Sequence, residues 1–308
     1  MSIHKLEELS TATLDGLDRS RTVVILIVSP LEEHGPHLPL GVDAFTAQHF
    51  AQTLAQRIIA ERTGWQVVLA PPLYLGSFTF DHVGTVKIRQ RVVRDLLVDY
   101  GSALARAGFR YLLISNGHAG PGHLVALEEA AQKVSRKFGV TMASFTGHLA
   151  WEFLRGKYLE KIEAALGHPL TPVERQAFGE DAHGGWWETS MMLLLRPELV
   201  DPGYKDLPAT RYRLPERLRP NYPVRDGRPG YVGHPALGDP AFARASTQVL
   251  VDQAMELANA LLDGRLRPSA RRSPFFLIPF LRTNFWPAVT GALLVGAGLL
   301  AWWVLQRS

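Results

Sequence analysis

The stretch "TVVILIVSPLEEHGPH", residues 22–37, carries the decision about the fold. Thr22 to Ser29 is an unbroken β-branched and apolar run, the composition of a central parallel strand covered on both faces. Directly after it come Glu32, Glu33, His34 and His37, with Asp43 close behind. Ligands of open α/β sheets bind outside the carboxyl ends of the strands, so this polar cluster stands where a site is expected.

The pattern continues outward from that run. Ala47, Phe50, Ala51, Leu54 and Ile58 recur at helical spacing, with Asp43 placed either to cap the helix or to bind a metal. "WQVVLAPP" reads as the next strand. Leu96, Leu97, Tyr100 and Leu104 mark a helix that stops at Gly108, and "YLLIS", Tyr111 to Ser115, reads as a strand. Leu124, Leu127, Ala131 and Val134 mark a further helix ending at Gly139, followed by a strand in "VTMASF". Strands alternating with helices over short connections predict an α/β fold with a mainly parallel sheet and helices on both faces. Residues 197–240, rich in proline, glycine and arginine, predict little regular structure, and a helix is expected from about Ala241 to Leu262.

Length and composition narrow the class. The 308 residues, 46% apolar and 20% charged, describe a globular enzyme-sized chain rather than a disordered one. Much of the net charge of +4 sits in a carboxy-terminal arginine cluster, and no aromatic and basic groove pattern accompanies it, so no nucleic-acid partner is expected. With no cysteine, thiolate metal sites, disulfides and a cysteine nucleophile are excluded. The amino terminus lacks the apolar core of a signal peptide.

The carboxy terminus differs from the rest. "FWPAVTGALLVGAGLLAWWVL", Phe285 to Leu305, holds 21 residues without a charge, enough at helical rise to cross a bilayer core of about 30 Å. Trp286 at one end and Trp302 and Trp303 at the other stand where interfacial belts form. Arg265, Arg267, Arg271, Arg272 and Arg282 precede it and Arg307 alone follows, so the positive-inside rule expects a tail-anchored protein with its large domain in the cytoplasm. The expected organisation is a catalytic domain over residues 1–264, an arginine-rich tether with an interfacial segment over 265–284, and a transmembrane helix over 285–305.

Three clusters carry the chemistry. In an extended segment Glu32 and His34 share a side and Glu33 points away. "SNGHAG", Ser115 to Gly120, brings His118 to the exit of the Tyr111 strand. "DAHGGWWETSMMLLL", Asp181 to Leu195, sets His183 in a glycine-rich loop and Glu188 in the first turn of an apolar helix, where a carboxylate also complements the helix dipole. Any one of these residues alone reads as a hydrogen-bonded loop side chain. Three clusters together favour a metal site, and two histidines with three carboxylates suit two ions of zinc, manganese or iron(II) when one carboxylate bridges. The "HExxH" of zincins and the "GxSxG" of serine hydrolases are absent.

"EEHGPHLPLGVD", "GTVKIR" (Gly84 to Arg89), "SNGHAG", "HGGWWETSMML" and "GYVGHPALGDPAFA" follow one another in the order and approximate spacing of the creatininase family, also called creatinine amidohydrolase. The chain resembles that family from about Leu9 to Leu262. The resemblance implies a three-layer α/β/α fold, a binuclear metal site hydrolysing carbon–nitrogen bonds of amides, and a homo-oligomer, often a hexamer. It implies Glu32, His34, Asp43 as the bridge, His118 and Glu188 as ligands, and His183 as the acid/base residue. His37 is expected to orient a ligand or substrate, and Trp186 and Trp187 either wall the substrate pocket or belong to the core. His82 and His123 read as loop or helix-surface residues.

The chain departs from the family at several positions. Glu33 replaces a glutamine, Ser29 and Pro30 replace glycine and serine, and Pro121 stands where asparagine is common. Ala119 and Gly120 replace the tyrosine and glutamate of creatininase itself, which argues against creatinine as the substrate and places the last ligand at Glu188. The family also holds formamide hydrolases and a peptidase that trims a cofactor precursor peptide. The expected reaction is therefore hydrolysis of an amide, formamide or cyclic amide. A membrane-associated metallopeptidase and a non-catalytic, membrane-tethered ligand-binding domain are the alternatives.

Overall fold

Every residue of the Thr22–Ser29 run is buried, and the run is the middle strand of a parallel sheet. The computed structural model describes residues 2–306, so Arg307 lies outside the described residues. The strands are β1 (Ile3–Lys5), β2 (Thr22–Ser29), β3 (Gln66–Leu69), β4 (Leu73–Tyr74), β5 (Tyr111–Ser115) and β6 (Thr141–Ala143). Their order is β1-β3-β2-β5-β6, with β4 pairing the end of β2, and all pairings are parallel. The helices are α1 (Thr11–Asp15), α2 (Val42–Glu61), α3 (Gln90–Arg106), α4 (Pro121–Phe138), α5 (Thr146–Leu154), α6 (Leu159–Leu166), α7 (Pro172–Glu180), α8 (Trp186–Leu195), α9 (Leu214–Arg217), α10 (Pro240–Leu262) and α11 (Phe285–Leu305).

The continuous apolar run is explained by two cores. Val23, Ile25 and Ile27 point into one, filled from α2, α5 to α7 and α10, whereas Val24, Leu26 and Val28 point into the other, filled from α3 and α4. Each such side chain removed from water contributes about 1.5–3 kcal/mol, and no polar alternation is possible when both faces are dry. The result is the expected three-layer α/β/α architecture, with β2 and β5 adjacent so that their carboxyl ends open side by side.

Several elements have no clear mark in the sequence. β1 and β4 are too short for a period to show. α5 to α7 lie between the expected strand at Thr141 and the expected helix at Glu188, and their Phe153, Ile162 and Phe178 complete the first core. The start of α7 carried a usable signal, since Thr171 and Glu174 form a capping box. As expected, residues 197–240 hold only short turns of helix, and α10 and α11 begin within a residue of their expected positions.

α11 is a helix long and apolar enough to cross a membrane, and the rest of the chain does not bury its apolar window. The segment before it is more ordered than a tether. From Ser273 to Asn284 it lies along α3 and α4, with Ser273, Phe276 and Thr283 buried.

At Gly117, just past β5, an added Cβ would run into the backbone carbonyl of Asp43, so the strand exit and the start of α2 touch backbone to backbone. Gly117→Ala is expected to cost about 1–3 kcal/mol through overpacking. Denaturant unfolding of wild type and variant in the same detergent measures this.

Candidate metal centre

The loop after β2 is closed by a backbone hydrogen bond from Glu32 to the Leu40 carbonyl, which returns the chain to α2 with Gly41 as its cap residue. Asp43 therefore does not cap. It sits in the first turn, buried, and neither of its carboxylate oxygens has a hydrogen-bond donor. Its Oδ2 lies 3.2 Å from His118 Nδ1, which is 3.1 Å from Glu32 Oε2. Its Oδ1 lies 3.5 Å from His34 Nε2, which is 3.6 Å from Glu188 Oε2. The two oxygens of one carboxylate thus face two separate ligand groups, Glu32–Asp43–His118 and His34–Asp43–Glu188, whose candidate ligand atoms each lie within 4.8 Å of one another.

The imidazoles are aimed by the backbone. His34 Nδ1 is 3.0 Å from the Glu32 carbonyl and His118 Nε2 is 3.3 Å from the Ser77 carbonyl. A carbonyl only accepts, so the nitrogen facing it carries the hydrogen. The lone pairs of His34 Nε2 and His118 Nδ1 are then turned to the carboxylates. Glu32 spends its other oxygen on the Phe80 N–H at 2.5 Å.

The electrostatics call for added positive charge. Burial works against a charged imidazole at His34, yet Glu188 and Asp43 bring it up to about 10, and the same balance lifts His118 well above its ordinary value. Burial also opposes ionisation of Asp43, but His34 and His118 hold it well below the usual carboxylate range. The inward oxygens of Glu32 and Asp43 are buried without donors, and Glu188 adds a third carboxylate beside them, an arrangement that is costly without a cation. The donor set of three carboxylates and two imidazoles, with no thiolate, fits two divalent ions of the zinc, manganese or iron(II) kind.

Glu188 stands in the first turn of α8 and serves both readings of such a carboxylate. Its Oε2 accepts the Gly184 N–H at 2.5 Å and also faces His34. The principal cap of α8 is Asp181, which accepts from the N–H groups of Trp186 and Trp187 at 2.7 and 2.8 Å; burial pushes its carboxyl up to about 7 against these hydrogen bonds. Gly184 has φ +56, and a Cβ there would meet the His34 carbonyl at 2.6 Å.

His183 reaches the same space. Its Nε2 lies 2.7 Å from the Glu33 carbonyl, and its ring centroid is 4.2 Å from that of His34 and 4.7 Å from Phe80. Glu33 does not face away as strand alternation predicts. The chain has left β2 by this point, and Glu33 is buried with Oε1 at 3.4 Å from His183 Nε2 and Oε2 accepting the Gly35 N–H.

The structure separates the remaining candidates. His37 Nε2 is 2.9 Å from Thr189 Oγ1, behind the ligand groups, and burial together with nearby His34 lowers it to about 4. Trp186 is in the core, stacked on Phe242 at 4.1 Å, so only Trp187 of the pair lines the adjoining cavity. That cavity, about 120 Å³ against the roughly 10–15 Å³ one water needs, reaches His118 and Glu188. Phe50, Leu149, Phe153, Phe178 and Leu250 give it apolar walls.

His82 is exposed, but His123 is wholly buried rather than on a helix surface, because the first turn of α4 packs inward. His123 Nε2 lies 3.1 Å from Asn116 Oδ1, which also accepts from Ser29 Oγ and from the His118 N–H. Asn116 and His123 thereby hold the turn that presents His118. The asparagine and glycine beside His118 were the sequence signal for this turn.

The family model described as "Creatininase: Creatinine amidohydrolase" matches residues 7–258. The chain belongs to the creatininase family. Its members are metal-dependent hydrolases acting on carbon–nitrogen bonds. The chain is 28% identical over 281 residues to the mycofactocin precursor peptide peptidase of Mycobacterium tuberculosis (strain ATCC 25618 / H37Rv), covering 87% of this chain and 92% of that protein. The manganese form of creatininase shares its fold with a TM-score of 0.62 at 21% identity, covering 85% of this chain and 99% of the other. A mutant creatininase of Zn–Zn type gives 0.63 at 21% identity, over 86% and 99%.

Within this creatininase-family site, Asp181→Ala removes the acceptor for two buried N–H groups at the start of the helix that carries Glu188. A loss of about 2 kcal/mol is expected, read as a lowered denaturant midpoint.

Proposed function

We propose that this chain hydrolyses an amide-type carbon–nitrogen bond at a binuclear metal centre. Glu32, Asp43 and His118 would hold one ion, and His34, Asp43 and Glu188 the other, with Asp43 bridging. The observation that carries this reading is the pair of donorless, buried oxygens of Asp43, each facing one ligand group. Solved family relatives in manganese and Zn–Zn forms support the choice of metals. When bound, such ions supply a water ionised near neutral pH and polarisation of the amide carbonyl.

The remaining residues then have distinct tasks. With Nε2–H committed to the Glu33 carbonyl, His183 keeps Nδ1 to take a proton and return it to the leaving nitrogen, a role that contributes about 10²- to 10⁴-fold. Glu33 and the Phe80 ring hold the imidazole in place. The apolar cavity beside Glu188 receives the non-reacting part of the substrate, with Trp187 as one wall. An amide, formamide or cyclic amide fits this reading. Peptide trimming is the second reading, favoured by a peptidase relative matched over 92% of its length. Creatinine is disfavoured by Ala119 and Gly120.

We further infer that residues 1–264 form the hydrolase domain, that α11 anchors it in a membrane with the domain on the cytoplasmic side, and that it assembles as a homo-oligomer, with the hexamer as the expected form. The apolar composition of α11 and the arginines before it support the anchoring.

Elemental analysis of detergent-purified protein tests the centre. About two zinc, manganese or iron ions per chain are expected in the wild type and none in Asp43→Ala, which loses activity as well. A wild type without metal after reconstitution at neutral pH would falsify the proposal. His183→Ala is expected to keep its metal while kcat falls about 10²- to 10⁴-fold. A panel of formamides, cyclic amides and short peptides assigns the substrate.

A further inference from the structure

The chain between α10 and α11 is tied down at four points within twelve residues. Ser273 donates its N–H to Glu128 Oε1 at 2.6 Å and its hydroxyl to Glu128 Oε2 at 3.1 Å. The Leu281 carbonyl accepts from Gln90 Nε2 at 2.8 Å, Arg282 Nε donates to Glu129 at 2.6 Å, and Asn284 Oδ1 accepts from Arg94 Nη1 at 2.7 Å. Phe276 is buried with the guanidinium carbons of Arg272 and Arg282 at 4.0 and 3.9 Å from its ring centre. Phe275 meets Trp151 edge-on at 5.6 Å, on the helix whose Leu149 and Phe153 line the apolar cavity.

A flexible tether would leave these polar groups to water. Here two acids of α4 and two donors of α3 hold the strap up to Asn284, the residue before α11. The exit point is defined as well. Gln90 donates to both Leu281 and the Gly122 carbonyl, and Gly122 lies four residues after His118. α11 therefore leaves the domain at the end of the sheet that carries the metal centre.

Large apolar side chains of this strap face outward: Leu277 is 83% exposed and Phe280 is 55% exposed. Trp286, in the first turn of α11, is 61% exposed. Apolar side chains turned out beside a helix of membrane-crossing length, on a strap preceded by Arg271 and Arg272, match the headgroup layer of an anionic bilayer.

We propose that Ser273–Asn284 is a docked strap that seats the metal-centre end of the domain on the lipid surface, with Leu277 and Phe280 immersed at the headgroup level. This rests on the reading of α11 as a membrane span.

The absence of cysteine permits single-site labelling of the full chain. Spin labels at Leu277→Cys, Phe280→Cys, Leu294→Cys in α11 and Val173→Cys on α7 would be compared in anionic phospholipid nanodiscs, using oxygen and a water-soluble nickel chelate as relaxants. The expected result is lipid exposure at 294, interfacial exposure at 277 and 280, and aqueous exposure at 173. Labels at 277 and 280 that match 173 while 294 is in lipid would overturn the strap and leave the span standing. An aqueous 294 would overturn both. The docking is read separately by hydrogen exchange of full-length protein, where residues 273–282 should exchange about tenfold or more faster in Glu128→Ala than in wild type. Equal rates would refute a clamped strap.

Discussion

Much of this molecule is arranged around uncompensated negative charge. Glu32, Asp43 and Glu188 turn carboxylate oxygens into one space from which water is largely excluded, and the inward oxygens of Glu32 and Asp43 receive no hydrogen bond. Isolated buried carboxylates are among the most costly groups a fold can hold, and here two imidazoles face them, with one N–H on Glu32 and one on Glu188. Such a cluster persists in a native structure when a cation belongs to it. The aim of the histidine rings, each set by a backbone carbonyl on its far side, is the arrangement that leaves lone pairs for that cation.

The sheet makes the cluster possible. Because β2 and β5 are neighbours and parallel, the loops leaving them open side by side, and Gly117 lets one strand exit touch the backbone at the start of α2. Strands dry on both faces provide a rigid base, so the ligands stand on packed elements rather than on free loops. The third contribution arrives from a distant part of the chain. α8 and the loop before it bring Glu188 and His183 in, with Asp181 bonded to the first N–H groups of the helix and Gly184 passing against the His34 carbonyl.

The same end of the sheet holds the segment that leads into α11. Gln90 at the start of α3 ties the first turn of α4 to the strap leading into α11, and Arg94 of α3 with Glu128 and Glu129 farther along α4 hold the rest of it. The helix carrying Trp151 also supplies Leu149 and Phe153 to the cavity, so the segment before α11 and the apolar cavity both pack on α5.

The sequence by itself determined the architecture and the family, and it marked the acids and histidines that the fold brings together. The Thr22–Ser29 run, the helical spacings that follow it, and the uncharged stretch from Phe285 are local patterns, and local patterns survive in a linear reading. The ligand types were legible for the same reason, since acids and histidines crowded at strand exits have few structural uses. Tertiary structure alone decided the rest. Whether Asp43 caps α2 or turns between His34 and His118, and whether Glu33 points away or toward His183, depends on where elements many residues away pack, α8 and the Tyr231–Gly233 segment among them. His123 and Trp186 became interior residues through the rotation of α4 and α8 against the sheet, and the expected interfacial segment became a docked strap through acids on a helix about 150 residues earlier. Each of these outcomes rests on contacts between elements far apart in the chain, and no periodicity records such contacts.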